Sequence, residues 1–241
     1  FTAPVLNYAQ LAPMLIVLGG ALIGVLIEAF APRASRHSSQ LFITVAALVS
    51  SFAALMQVRT QSSANAAMGS VAFDGAGVLL QASILVIALL SVFLIADQEN
   101  FTALPAAVPG SHEERESLQL DLRVTEVYPL TLFAVAGMLL FPVSTDLITL
   151  FVALEVLSLP LYLMAGLSRR RRLMSQEAAL KYFLLGAFSS AFFLFGAAYL
   201  YGYSGSITFA GIQSSVVGGS GNDVFLLLGI AFISVGLLFK V

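Results

Sequence analysis

Residues 147–167 read LITLFVALEVLSLPLYLMAGL, a run whose single charge, Glu155, stands about eight residues inside it. A helix rises about 1.5 Å per residue and the hydrocarbon core of a bilayer is about 30 Å thick, so about 20 apolar residues make one crossing. The run is long enough to span, and its carboxylate sits on too short a side chain to snorkel to either surface. Outward from it lie six more apolar runs: Leu11–Phe30, Leu41–Val58, Ala76–Ala96, Val127–Phe141, Ala178–Gly202 and Val224–Val241. The expected fold class is all-α, a polytopic membrane helix bundle. The fourth run is short and is divided from 147–167 only by Pro142-Val143-Ser144-Thr145-Asp146. Proline breaks the first helix and the Ser-Thr-Asp cluster caps the second, so a tight hairpin is expected there.

Composition agrees with a lipid solvent. Of 241 residues 59% are apolar and 10% charged, with a mean hydropathy of +0.96, whereas a soluble domain carries about a quarter charged residues. An ordinary water-soluble enzyme is excluded. The chain has no cysteine, and its only imidazoles are His37 and His112. Iron–sulfur, structural zinc and disulfide frameworks therefore lack their ligands. A net charge of −2 gives no basic face for nucleic acid.

Short cytoplasmic loops collect arginine and lysine. Segments after the first, third and fifth runs hold Arg33 and Arg36, Arg115 and Arg123, and Arg169 to Arg172, while the other side holds Arg59 alone. The expected topology has the N-terminus outside the cytoplasm. The four-arginine run also suits anionic lipid headgroups. Asp97 to Glu126 is the one long polar stretch, with seven acids, two arginines, Pro105, Pro109 and Gly110. It reads as a solvated loop or as a docking surface for a neighbour. Residue 1 is phenylalanine, and the last run reaches Lys240-Val241 with no polar stop, which reads as part of a longer polypeptide.

An ionised side chain in the bilayer interior costs at least about 2.5 to 3.5 kcal/mol on insertion scales and commonly marks an ion pathway. Glu155, Lys181 and Lys240 are the candidates. Lys181 lies nine residues beyond the last of the four arginines and Glu155 fourteen before the first. Their depths then differ by roughly 7 Å, within reach of a lysine stem, so a Glu155–Lys181 pair is one reading. Two others are local: Glu177, four residues before Lys181, satisfies it on the same helical face, or the lysine snorkels to the cytoplasmic interface. Lys240 is either a further station or an interfacial lysine. Burial and mutual attraction push the protonation of such a pair in opposite directions, which makes the proton transferable. Asp74, Asp146 and Ser175 read as helix caps, and Glu28 as reaching the interface or pairing with Arg33.

The segment TDLITLFVALEVLSLPLY at 145–162, together with EAALKYFLLGAFSSA at 177–191, resembles subunit N of bacterial proton-pumping NADH:quinone oxidoreductase, respiratory complex I, an antiporter-like subunit family. The resemblance implies two inverted five-helix repeats within fourteen helices, of which this sequence carries the N-terminal half. Residues 1–126 would hold helices 1–3 and the acidic loop, and 127–241 helices 4–7 of the first repeat. Glu155, Lys181 and Lys240 resemble the family's fifth-, sixth- and seventh-helix relay residues. No cofactor is expected on this chain; NADH, FMN, iron–sulfur clusters and quinone belong to other subunits. Expected partners are neighbouring antiporter-like and small subunits of the membrane arm, and lipids; the expected location is the bacterial inner membrane. A subunit of a multisubunit cation/proton antiporter is the alternative, and a passive membrane anchor a third reading.

Overall fold

The computed structural model describes residues 6–59, 64–97, 111–112, 115, 125–167, 172–219 and 222–240. Most of the acidic stretch, Arg123 and Arg169 to Arg171 lie outside them. Eight helices of ten residues or more are described: α1 Tyr8–Phe30, α2 Arg33–Val58, α3 Gly75–Ile95, α4 Val127–Leu140, α5 Leu147–Leu167, α6 Arg172–Ser204, α7 Phe209–Gly218 and α8 Asp223–Lys240. Six of them, all but α4 and α7, are long and apolar enough to cross a membrane. The expected bundle is present, with three local departures. A two-stranded antiparallel hairpin, β1 Ala64–Ala66 and β2 Val71–Phe73, joins α2 to α3. Arg33 and Arg36 lie in the first turns of α2 rather than in a loop, because Ala31 and Pro32 alone make the α1–α2 turn. Helix α6 begins at Arg172, so Ser175 lies inside its first turn and is not its cap.

Helix α4, at fourteen residues, is about 21 Å long and too short to cross alone. Nine of its residues are nonetheless buried, among them Tyr128, Leu132, Val135 and Leu139. It is a central strut, with α1, α2 and α3 on one side and α5 on the other. Gly137 sets the α4–α5 spacing: a Cβ there would stand 2.8 Å from the Leu157 Cα and 2.9 Å from the Ala153 carbonyl oxygen. Its apolar neighbours form one core, running from Met14 through Val143. A second core begins at Leu147 and joins α5 to α6 and α8 through Leu154, Phe193, Ala197 and Leu200.

The expected hairpin between α4 and α5 is present. Helix α4 gives way to a 3-10 turn at Phe141–Val143 that contains Pro142, and Ser144 is extended. Asp146 then caps α5: its Oδ1 accepts from the Ile148 and Thr149 N–H groups at 2.9 and 2.7 Å, and its Oδ2 from the Thr149 hydroxyl at 2.8 Å. Asp74 caps α3 in the same manner, accepting from the Gly77 N–H at 2.6 Å. The loops at this end are laced together, since Thr145 N–H donates to Ser70 and Phe209 N–H to Thr145. Asp146 is buried, so Asp146→Ala should cost about 2 kcal/mol, the upper end for an N-cap, read as a lowered unfolding midpoint in mixed micelles. Asp146→Asn, which keeps an acceptor, should recover most of that loss.

Candidate functional site

Helices α6 and α8 pack backbone to backbone because their shared face is lined by small residues. A Cβ on Gly196 would sit 2.6 Å from the Ile233 nitrogen and 2.7 Å from the Gly229 carbonyl oxygen. One on Gly236 would lie 3.0 Å from the Ser189 carbonyl oxygen and from the Phe193 nitrogen. With little hydrophobic drive between helices in lipid, such contacts and interhelical hydrogen bonds supply the association. The Ser189 hydroxyl adds one, donating to the Gly236 carbonyl at 2.7 Å. Lys240 follows one helical turn after Gly236, so the same contact seats its side chain against α5.

There Lys240 Nζ donates to Glu155 Oε1 at 2.8 Å. The lysine side chain is 10% exposed and the glutamate 26%. A third group completes the site: the Ser190 hydroxyl of α6 also donates to Glu155 Oε1 in a short hydrogen bond. Beside the pair is a cavity of about 220 Å³ whose lining includes Ser158, Tyr162, Tyr182, Phe141, Leu237 and Lys240. It is roomy enough for several waters and has the polar partners they need. The Tyr162 and Tyr182 rings meet edge to face at a centroid distance of 4.5 Å. Ammonium, carboxylate, hydroxyl and hydratable space thus converge within the span of three helices.

The expected Glu155–Lys181 pair is not formed. Lys181 is bonded to Glu177 at 2.5 Å, and the two side chains are 68% and 62% exposed. Helical phase is the reason. Ser190 is the α6 residue that reaches Glu155, and Lys181 precedes it by nine residues, about half a turn out of phase at 3.6 residues per turn. Matching depth alone could not reveal this. Lys240, left open between a station and an interfacial lysine, is the direct partner of Glu155.

Glu28 pairs with Arg36 at 3.1 Å and not with Arg33. Its other oxygen accepts from Gln40 at 3.1 Å and Thr125 at 2.6 Å, which ties α1, α2 and the approach to α4 together. Ser190, Tyr162 and Tyr182 were not singled out from the sequence. The available signal was the Ser189-Ser190 pair inside an otherwise apolar stretch, where each hydroxyl must find a partner. Among the described residues no cluster of three or more His, Cys, Asp or Glu side chains is arranged to hold a metal ion.

Residues 144–241 match the family described as NADH:quinone oxidoreductase/Mrp antiporter, TM. Subunit N 3 of NADH-quinone oxidoreductase from Streptomyces griseus subsp. griseus is 48% identical, aligned over 100% of this chain and 48% of the relative. The subunit N from Rhodococcus opacus is 50% identical over 99% of this chain and 49% of its own length. The chain therefore spans about half the length of the curated relatives it matches. Among solved structures, a chain of respiratory complex I from Thermus thermophilus superposes with a TM-score of 0.68 at 30% identity, covering 95% of this chain and 43% of that one. A chain of the archaeal membrane-bound sulfane sulfur reductase shares the fold, with a TM-score of 0.66 at 20% identity, covering 95% of this chain and 44% of that one. Six spanning helices and these relatives make this a multi-pass membrane protein. Residues 144–241 thus match the NADH:quinone oxidoreductase/Mrp antiporter membrane family, and the chain as a whole is similar to about half of subunit N of NADH-quinone oxidoreductases.

Proposed function

We propose that this chain forms part of a proton-translocating subunit in the membrane arm of a bacterial NADH:quinone oxidoreductase, and that Glu155, Lys240 and Lys181 carry the protons. The observation that supports this best is the shielded Glu155–Lys240 pair beside a hydratable cavity. An ammonium and a carboxylate sharing a hydrogen bond can pass one proton between them: an N–H bond breaks, an O–H bond forms, and both groups become neutral. In a poorly polarisable interior the neutral and charged states lie close enough in energy for a modest change nearby to choose between them. Lys181 lies outside the pair, and water in the cavity lined by Tyr182, its neighbour in sequence, is the proposed link to it. Helices α4 to α8 would constitute the first antiporter-like repeat.

On this reading the subunit performs no redox chemistry. NADH, FMN, iron–sulfur clusters and quinone are assigned to other subunits, and the neighbours of this one are antiporter-like and small membrane-arm subunits and lipids. Arg33 and Arg36 of α2 and the Arg169 to Arg172 run are then assigned to the cytoplasmic side, with the N-terminus across the plasma membrane. In the assembled complex, Lys240→Ala or Glu155→Gln should lower proton pumping and coupled quinone reduction at least tenfold while NADH oxidation by an artificial acceptor is retained. Full pumping in both variants would refute the relay. The cation/proton antiporter reading, which the family description also covers, predicts instead sodium-dependent exchange in vesicles without NADH.

A further inference from the structure

We infer that Ser190 is a positioning residue whose hydroxyl changes partner when Glu155 changes protonation, so that Glu155 is hydrogen-bonded in both states. This rests on the proton-carrying role proposed for Glu155. A serine hydroxyl has one proton and two lone pairs, and Ser190 has two acceptors within reach. One is Glu155 Oε1 and the other is the Gly186 carbonyl, one turn back in its own helix, at 3.0 Å. The proton can serve only one of them well.

With Glu155 ionised, the hydroxyl points at the carboxylate, where a charge-assisted bond is roughly twice as strong as a neutral one. When the Lys240 N–H proton moves to Glu155, the carboxyl becomes a donor and a weak acceptor. The new O–H first points back at the lone pair of the Lys240 amine; once that amine takes up another proton or turns away, the Ser190 proton turns to the Gly186 carbonyl and its oxygen lone pairs accept from the carboxyl O–H. Glu155 then has a hydrogen-bond partner in each state. Ser190 is itself buried, so water cannot readily substitute for it, and an unbonded carboxyl there would carry the full desolvation penalty.

The surroundings suit a hydroxyl that turns between two partners. Gly186 has no Cβ, and the space is filled by the Tyr162 hydroxyl, which would overlap any Cβ placed there. The chargeable groups that face Glu155 are few. Helix α8 contributes Lys240, while α5 and α6 contribute Tyr162 and Tyr182 around the same cavity. Helix α4, packed on the other side of α5, carries Tyr128, whose hydroxyl meets His37 of α2 instead. Lys181 and Glu177 neutralise each other on the opposite face of α6. Glu155 thus answers mainly to Lys240 and to the serine.

The test is infrared difference spectroscopy of the full-length protein in lipid vesicles, following the protonated-carboxyl C=O band that Glu155→Gln abolishes. The position of that band reports whether the protonated carboxyl is hydrogen-bonded, so Ser190→Ala, which removes the acceptor for its O–H, should move the band to higher frequency. Ser190→Thr should restore it, because threonine in a helix keeps a hydroxyl that bonds the carbonyl one turn back. If Ser190→Ala does not fold, Ser190→Cys, whose sulfur is a weak acceptor of similar shape, should give a smaller shift in the same direction. An unmoved band in a folded Ser190→Ala or Ser190→Cys protein overturns the inference, as does a Ser190→Thr protein that behaves like alanine. The relay fails separately, if Glu155→Gln pumps normally.

Discussion

Replacing Glu155 by methionine leaves the Lys240 ammonium in the bundle without its carboxylate, and the protein should lose about 3 kcal/mol of stability. The site is largely but not wholly shielded, so the low end of the range for breaking a buried ion pair applies. Replacing both partners, Glu155→Met with Lys240→Met, should return stability to within about 1 kcal/mol of the parent, because a matched apolar pair has no charge to desolvate. Proton pumping by the double variant should nevertheless be absent. Unfolding in mixed micelles and dye-reported acidification of vesicles measure the two quantities independently. A double variant that is stable and still pumps would leave the pair only a packing role, which is what a passive anchor predicts.

A structural effect of similar size is expected at the α6–α8 contact. Gly196→Leu must place a side chain where the Ile233 nitrogen and the Gly229 carbonyl already lie 2.6 and 2.7 Å from the Cβ position. Neither neighbour is a flexible side-chain end, so the helices must separate. Overpacking of this kind costs about 1–3 kcal/mol and occasionally more, and a backbone-to-backbone clash belongs at the upper end. The separation would also stretch the Ser189–Gly236 hydrogen bond and draw Lys240 away from Glu155. Gly196→Leu should therefore lower both the folded yield and the pumping of what folds, whereas a leucine at the open Gly19 should do neither. Yield in a detergent extraction and pumping per folded protein are the readouts. Equal behaviour of the two variants would mean that close helix approach does not position the ion pair.

How far the sequence revealed this depended on the kind of information each feature needs. Span positions rest on hydropathy, a property of short windows, and the observed ends of α3 and α5 lie within a residue of those expected. Caps are equally local, and Asp74 and Asp146 were legible for that reason. Ser175 was misread because helix propensity carried α6 back to Arg172, past an acceptable cap. The β1–β2 hairpin was not visible, since its strands are three residues each and derive their support from loops distant in sequence. For the candidate site, charge in an apolar run drew out Glu155, Lys181 and Lys240, of which the structure brings Glu155 and Lys240 together and leaves Lys181 with Glu177. Which lysine meets the glutamate depends on rotational phase and on how α8 is docked. Gly196, Gly229 and Gly236 determine that docking, and only the three-dimensional arrangement shows what they face.

The shortness of α4 bears on how the protein is made. A segment that rises about 21 Å cannot satisfy the hydrocarbon on its own, so during synthesis it has no stable transmembrane state until α5 emerges behind it. Its seat among α1, α2 and α3 must be kept open, or filled by lipid, in the interval. Stable residence of α4 therefore depends on the crossings that flank it, α1 to α3 before it and α5 behind.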